Sequence, residues 1–177
     1  MLLGWLVGGG SNRLDDRLLR IDGPDWLLWV VDERFLIALL AGACGVALGR
    51  RRYPLAVAVA ICPLVAIAAA QGLKRAFGRE LDGALAYPSG HVTALVVAVG
   101  MVALVAARRW AVVAAVALIA AGMYAVGTTY HYFTDTVGGL LLGSSVVALA
   151  AVLLDRCQPR CDLRHKRRLT WGHDRDA

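Results

Sequence analysis

An all-α bundle of helices embedded in a membrane is the fold class that the sequence predicts, and three observations predict it. Hydrophobic residues make up 59% of the 177-residue chain, and they fall in long blocks rather than at the spacing of soluble helices or strands. Four blocks, 53–73, 91–107, 110–130 and 136–154, contain no Asp, Glu, Lys or Arg. Each approaches the ~20 residues a helix needs to cross a hydrocarbon core of ~30 Å. The runs also lack the period-two alternation that strands of a membrane barrel would show.

Taken in order, residues 1–34 form an N-terminal segment. Its start, MLLGWLV, has no basic region ahead of a short apolar run, so no cleaved signal peptide is expected. Arg13, Arg17 and Arg20 alternate with Leu14, Leu18, Leu19 and Ile21, the pattern of an amphipathic helix lying in the membrane interface. A solvated N-terminus is the alternative. Trp26 and Trp29 suit the headgroup region, and Asp32, Glu33 and Arg34 are expected at the interface ahead of a shorter fifth apolar run, 35–49. The expectation is therefore about five transmembrane helices within 35–154, an interfacial helix before them and a basic tail, 155–177. Gly139 with Gly143, and Gly45 with Gly49, have the small-xxx-small spacing of close helix contacts, although an Ala/Gly-rich composition also generates such pairs.

The formal net charge of +6 is distributed unevenly. Arg50, Arg51 and Arg52 lie in one loop, Arg108 and Arg109 in another, and Arg160, Arg164, Lys166, Arg167 and Arg168 in the tail. The positive-inside rule makes these three regions cytoplasmic. The tail then reads as an orientation signal in contact with anionic lipid, with no nucleic-acid partner. Segments 74–90 and 131–135 consequently face outward, which brings Lys74, Arg79, Ser89, His91, His131 and Asp135 to one membrane face. The interiors of the four clear spans have no ionisable residue, which argues against an ion path and hence a transporter. Cys44 and Cys62 read as small packing residues. Cys157 and Cys161, with His165 and His173 beyond, match no common zinc spacing and read as reduced thiols, so no metal or other cofactor is expected.

Tyr87-Pro88-Ser89-Gly90-His91 stands at the entrance of an apolar run. Pro88 halts an incoming helix, Ser89 is a good N-cap, and the free N–H groups of the first turn, with Gly90 allowing close approach, make an anion site. Ordinary helix capping uses the same residues. His131 and Asp135, four apart at a helix start, share a face, so the carboxylate can hold the Nδ1 proton and leave Nε2 as a nucleophile. Lys74 and Arg79 follow the outer end of the second span, where they can neutralise phosphate oxygens or serve as flanking charges.

Together, Lys74-x4-Arg79, Tyr87-Pro88-Ser89-Gly90-His91 and Tyr130-His131-Tyr132-Phe133-Thr134-Asp135 resemble the three-part signature of the type 2 phosphatidic acid phosphatases, relatives of the vanadium haloperoxidases. The resemblance covers about 35–154. It implies a metal-independent lipid phosphatase in which His131 attacks phosphorus, Asp135 orients it, His91 protonates the leaving alkoxide, and Lys74, Arg79, Ser89 and the Gly90 amide hold the phosphoryl group. The implied substrate is a lipid phosphomonoester or diphosphate of the cell envelope, met at the outer face of the cytoplasmic membrane. Leu81 and Ala125 stand where the family usually has further arginines. A member that binds lipid phosphate without turnover is the alternative that these two positions raise.

Overall fold

The computed structural model describes Asp15, Arg17, Ile21 and residues 23–81, 84–129 and 131–157. Asp82, Tyr130, Cys161, His165, His173 and most of the expected amphipathic segment and basic tail lie outside the described residues. The fold is all-α. A 3₁₀ helix, Asp25–Val31, leads into α1 (Glu33–Gly49), α2 (Tyr53–Phe77), α3 (Gly90–Ala106), α4 (Arg109–Thr129) and α5 (Phe133–Cys157). Between α2 and α3, β1 (Glu80–Leu81) pairs antiparallel with β2 (Ala84–Leu85), so that Glu80 opposes Leu85 and Leu81 opposes Ala84.

Local chemistry explains where the helices begin and end. Asp32 caps α1, its Oδ1 accepting from the N–H groups of Arg34 at 2.9 Å and Phe35 at 3.3 Å. The exposed acidic pair at 32–33 thus favours the positive end of that helix. Pro54 sits in the first turn of α2, where its missing N–H costs nothing, and α2 ends on Gly78 at φ 59°, a left-handed position that glycine takes without strain. Ser89 caps α3 as its sequence position suggested.

Three helices, α2, α4 and α5, are long and apolar enough to cross a bilayer, and they mark the chain as a membrane protein. Only 28%, 39% and 22% of their most apolar windows is buried inside the fold. The outward sides carry Ile61, Leu64, Val113, Val116, Leu149 and Leu153, all at least half exposed. Bare aliphatic side chains on this scale need lipid, not water, around them. α1 and α3 have 17 residues each.

α3 is the central helix. Val92, Leu95, Val96, Val97, Ala98, Val99 and Met101 are all buried, as expected of a helix that is apolar all round and surrounded by protein. Its N-terminal part packs with Val30, Val31, Leu36, Ala115 and Val126. Val97, Met101 and Val105, toward its C-terminal end, pack with Ala43, Ala47, Leu55, Val59, Ala66 and Ala150. Val30 and Val31 are therefore core residues, whereas Trp26 and Trp29 point outward at 69% and 50% exposure.

α5 lies against α3 through glycines. A Cβ on Gly139 would stand 2.6 Å from the Ser89 carbonyl oxygen, and one on Gly143 would stand 2.7 Å from Val96 Cβ. Gly45 and Gly49, by contrast, have nothing within 4 Å of a built Cβ, so only the first of the two spacings serves a helix contact. Because the obstacle at 139 is backbone, Gly139→Ala is expected to force the two helices apart. The cost should be about 1–3 kcal/mol, read as a lower thermal midpoint in detergent, and Gly45→Ala should be neutral in the same assay.

Candidate active site

Two backbone links bring the motifs together. The Ser89 N–H donates to the Asp135 carbonyl at 2.9 Å, joining the start of α3 to the start of α5, and the His131 N–H donates to the Val126 carbonyl at 3.1 Å, folding residue 131 back over the end of α4. The Ala86 N–H donates to the Arg79 carbonyl at 2.7 Å, which closes the β1–β2 loop and leads the chain into Tyr87. The Tyr87 ring meets Phe77 edge-on at 5.1 Å between centroids.

The resulting cleft has a volume of about 630 Å³ and is lined on its polar side by Gln71, Lys74, Gly90, His91 and His131. Leu28, Val31, Leu36, Ile67, Ala70 and Ala94 form an apolar wall, and Asp32 and Glu33 complete the lining. The imidazoles of His91 and His131 stand 6.2 Å apart between centroids, tilted by 58°, a gap suited to a tetrahedral oxyanion. Lys74 donates from Nζ to the Leu85 carbonyl at 2.9 Å, which fixes its ammonium at the cleft. Lys74 and the α3 N-terminus at Gly90 offer positive charge to an anion, in a cleft that Asp32 and Glu33 also line.

Not every predicted site residue reaches that cleft. Ser89 is fully buried; its hydroxyl accepts from the Val92 N–H at 3.5 Å and its carbonyl accepts from the Thr93 hydroxyl at 2.8 Å. It shapes the helix start rather than lining the cavity. Asp135 is also fully buried, behind His131, with Oδ2 4.0 Å from His131 Nδ1. Neither atom has a hydrogen-bond partner among the described residues. The pair has the direction of an orienting contact at a separation ~1 Å longer than a hydrogen bond, and such contacts often tighten only when substrate is bound.

Arg79 is 2% exposed and lies between two carboxylates, donating from Nη1 to Asp135 Oδ1 at 2.8 Å and from Nη2 to Asp15 Oδ2 at 3.2 Å. The Nη1 atom also donates to the Thr134 hydroxyl at 2.9 Å, and the guanidinium sits 4.5 Å from the centre of the Tyr132 ring. Asp15, Thr134 and Tyr132 are site components that sequence reasoning missed. Tyr132 and Thr134 were inside a quoted motif; Asp15 had no spacing signal, since its partner is Arg79, 64 residues away. Ala125 is 1% exposed, packed in the fold where the resemblance expects an arginine. Among the described residues no group of three His, Cys, Asp or Glu could hold a metal ion.

Burial, then the charges of Lys74 and His91, holds the His131 imidazole down to about 4 from 6.5. It is neutral at pH 7, as a nucleophile must be. A histidine neutral in the folded state but free to protonate when unfolded stabilises the fold above pH 6.5, and that stability is lost as pH falls from 6.5 through about 4. The interval corresponds to about 3 kcal/mol. Thermal midpoints between pH 7 and 4 should therefore fall less steeply in His131→Gln than in the unmodified protein.

The fold and cleft together define a helical membrane protein with a polar, histidine-bearing site at one end of its bundle. No protein-family model, curated protein or solved structure matches the chain.

Proposed function

We propose that the protein hydrolyses a lipid phosphomonoester or diphosphate through a phosphohistidine on His131. The observation that carries this reading is the pair of imidazoles lining one cleft with their centroids 6.2 Å apart, and Asp135 4.0 Å from His131. In this reading Nε2 of His131 forms a bond to phosphorus as the bond to the leaving oxygen breaks. His91 gives that oxygen a proton, then takes one from the water that cleaves the P–N bond and frees inorganic phosphate. Lys74 and the α3 N-terminus at Gly90 neutralise the transferring group. The apolar wall of the same cleft accommodates the first part of an acyl or prenyl chain.

All five helices cross the membrane in this proposal, α1 and α3 by the shorter path available to helices packed among longer ones. The loops bearing Arg50–Arg52 and Arg108–Arg109 face the cytoplasm, and the cleft opens at the outer leaflet of the cytoplasmic membrane. Polyprenyl phosphates and diphosphates, phosphatidate and phosphatidylglycerol phosphate are all admissible substrates.

The test is release of inorganic phosphate from a panel of these lipids by purified protein in detergent containing EDTA, with His131→Ala as the control. Turnover that persists in EDTA and disappears in the variant supports the reading. Saturable binding of lipid phosphate with no turnover would replace it with a binding protein, the function that Ala125 and the engagement of Arg79 by two carboxylates favour.

A further inference from the structure

We infer that Asp15 is a positioning residue of this site: by occupying one arm of the Arg79 guanidinium it keeps the second oxygen of Asp135 turned toward His131. The inference rests on the reading of His131 as the nucleophile and adds to it a residue from the N-terminal segment.

An arginine beside one carboxylate ordinarily closes on both oxygens with two parallel hydrogen bonds. Here the fork is divided between two carboxylates. Nη1 donates to Asp135 Oδ1 and Nη2 to Asp15 Oδ2, so Asp135 Oδ2 is left facing His131 Nδ1. Without the Asp15 carboxylate, Nη2 loses the acceptor that draws it away from Asp135 Oδ2, and turning onto that oxygen would complete the bidentate pair. That movement would take from His131 the carboxylate oxygen that lies 4.0 Å from its Nδ1.

Asp15 is itself tightly located. Its Oδ1 accepts from the Thr134 N–H at 3.1 Å and its Oδ2 from the Thr134 hydroxyl at 3.0 Å. Thr134 lies in the first turn of α5, next to Asp135, so the same carboxylate also caps the helix that bears the orienting group. The Tyr132 ring against the guanidinium limits how far Arg79 can move while Asp15 is in place. A stand-in for substrate phosphate is the competing role for a carboxylate bound to an arginine and a helix start. Such a stand-in would sit in the cleft, and neither Asp15 nor Arg79 lines it.

The experiment uses the full-length protein in detergent, with ¹⁵N-labelled histidine and steady-state kinetics side by side. At neutral pH, His131 in the unmodified protein should be protonated on Nδ1. In Asp15→Asn and Asp15→Ala its ¹⁵N shifts should move toward a mixture with the Nε2-protonated form. The kcat should fall roughly 10²-fold, the loss typical of a small misplacement of a reacting group, with KM within about twofold. Thr134→Val keeps the backbone N–H and removes the hydroxyl, so it should shift both readouts in the same direction by less, and it carries the test if the Asp15 variants fail to fold. The tautomer reading needs no substrate. Absence of turnover in the unmodified protein would therefore defeat the phosphatase reading without touching this one. Unchanged ¹⁵N shifts in variants that fold would overturn the positioning role, and so would a rise in kcat, which would make Asp15 a plug.

Discussion

His131→Ala should release no measurable phosphate from any lipid that the unmodified protein hydrolyses, a fall of roughly 10⁴-fold or more, because in the proposed reaction the covalent bond is made by His131 Nε2. The variant should nonetheless fold. Its backbone N–H makes the hydrogen bond to Val126, which alanine retains, and the lost ring is neutral at pH 7. His91→Ala should differ in kind. A leaving-group acid matters most when the leaving alkoxide is basic, so this variant should lose much of its rate on an alkyl lipid phosphate and far less on an aryl phosphate. Turnover of labelled substrate stopped by rapid denaturation should leave phosphate on the unmodified protein and on His91→Ala, with none on His131→Ala. Label on His131→Ala at the level of the unmodified protein would remove the histidine from the covalent step.

The helices were legible in the sequence because hydrocarbon imposes a length and a composition on them that water does not. The apolar run at 110–130 became a helix shifted by one residue, and those at 53–73 and 136–154 became helices that exceed the runs by a few residues, with Lys74, Arg75 and Arg156 inside the last turns. Ser89 as a cap was legible for a local reason, since capping depends on residues within one turn. The Gly139 and Gly45 spacings looked alike, and only packing separates them: one glycine meets a carbonyl oxygen and the other meets nothing. The β1–β2 ladder was not foreseen, although Asp82-Gly83 between two short runs is a recognised hairpin signal. The least legible part was the division of Arg79 between Asp15 and Asp135. A salt bridge across 64 residues leaves no periodicity, and a basic stretch with one buried acid looks the same as one with a solvated acid.

Arg79→Met is where the reading from motifs and the reading from packing disagree most sharply. If Arg79 served chiefly to grip phosphate, its loss would raise KM and leave the fold alone, because the substrate-free protein would lose nothing. In the fold described here, methionine instead leaves two fully buried carboxylates, Asp15 and Asp135, without the cation they share. Breaking a buried ion pair from one side typically costs about 3–5 kcal/mol, most of it the penalty of the uncompensated charge. For a chain of this size that corresponds to a fall in thermal midpoint on the order of 10 °C. Neutralising the stranded partners should then restore stability, so the triple variant Asp15→Asn, Arg79→Met, Asp135→Asn is expected to melt well above Arg79→Met alone. An apolar group beside two amides carries no unpaired charge, whereas the same group beside two carboxylates does. A normal midpoint with a raised KM would put the Arg79 guanidinium on the substrate, and would require Asp15 to leave it whenever substrate binds.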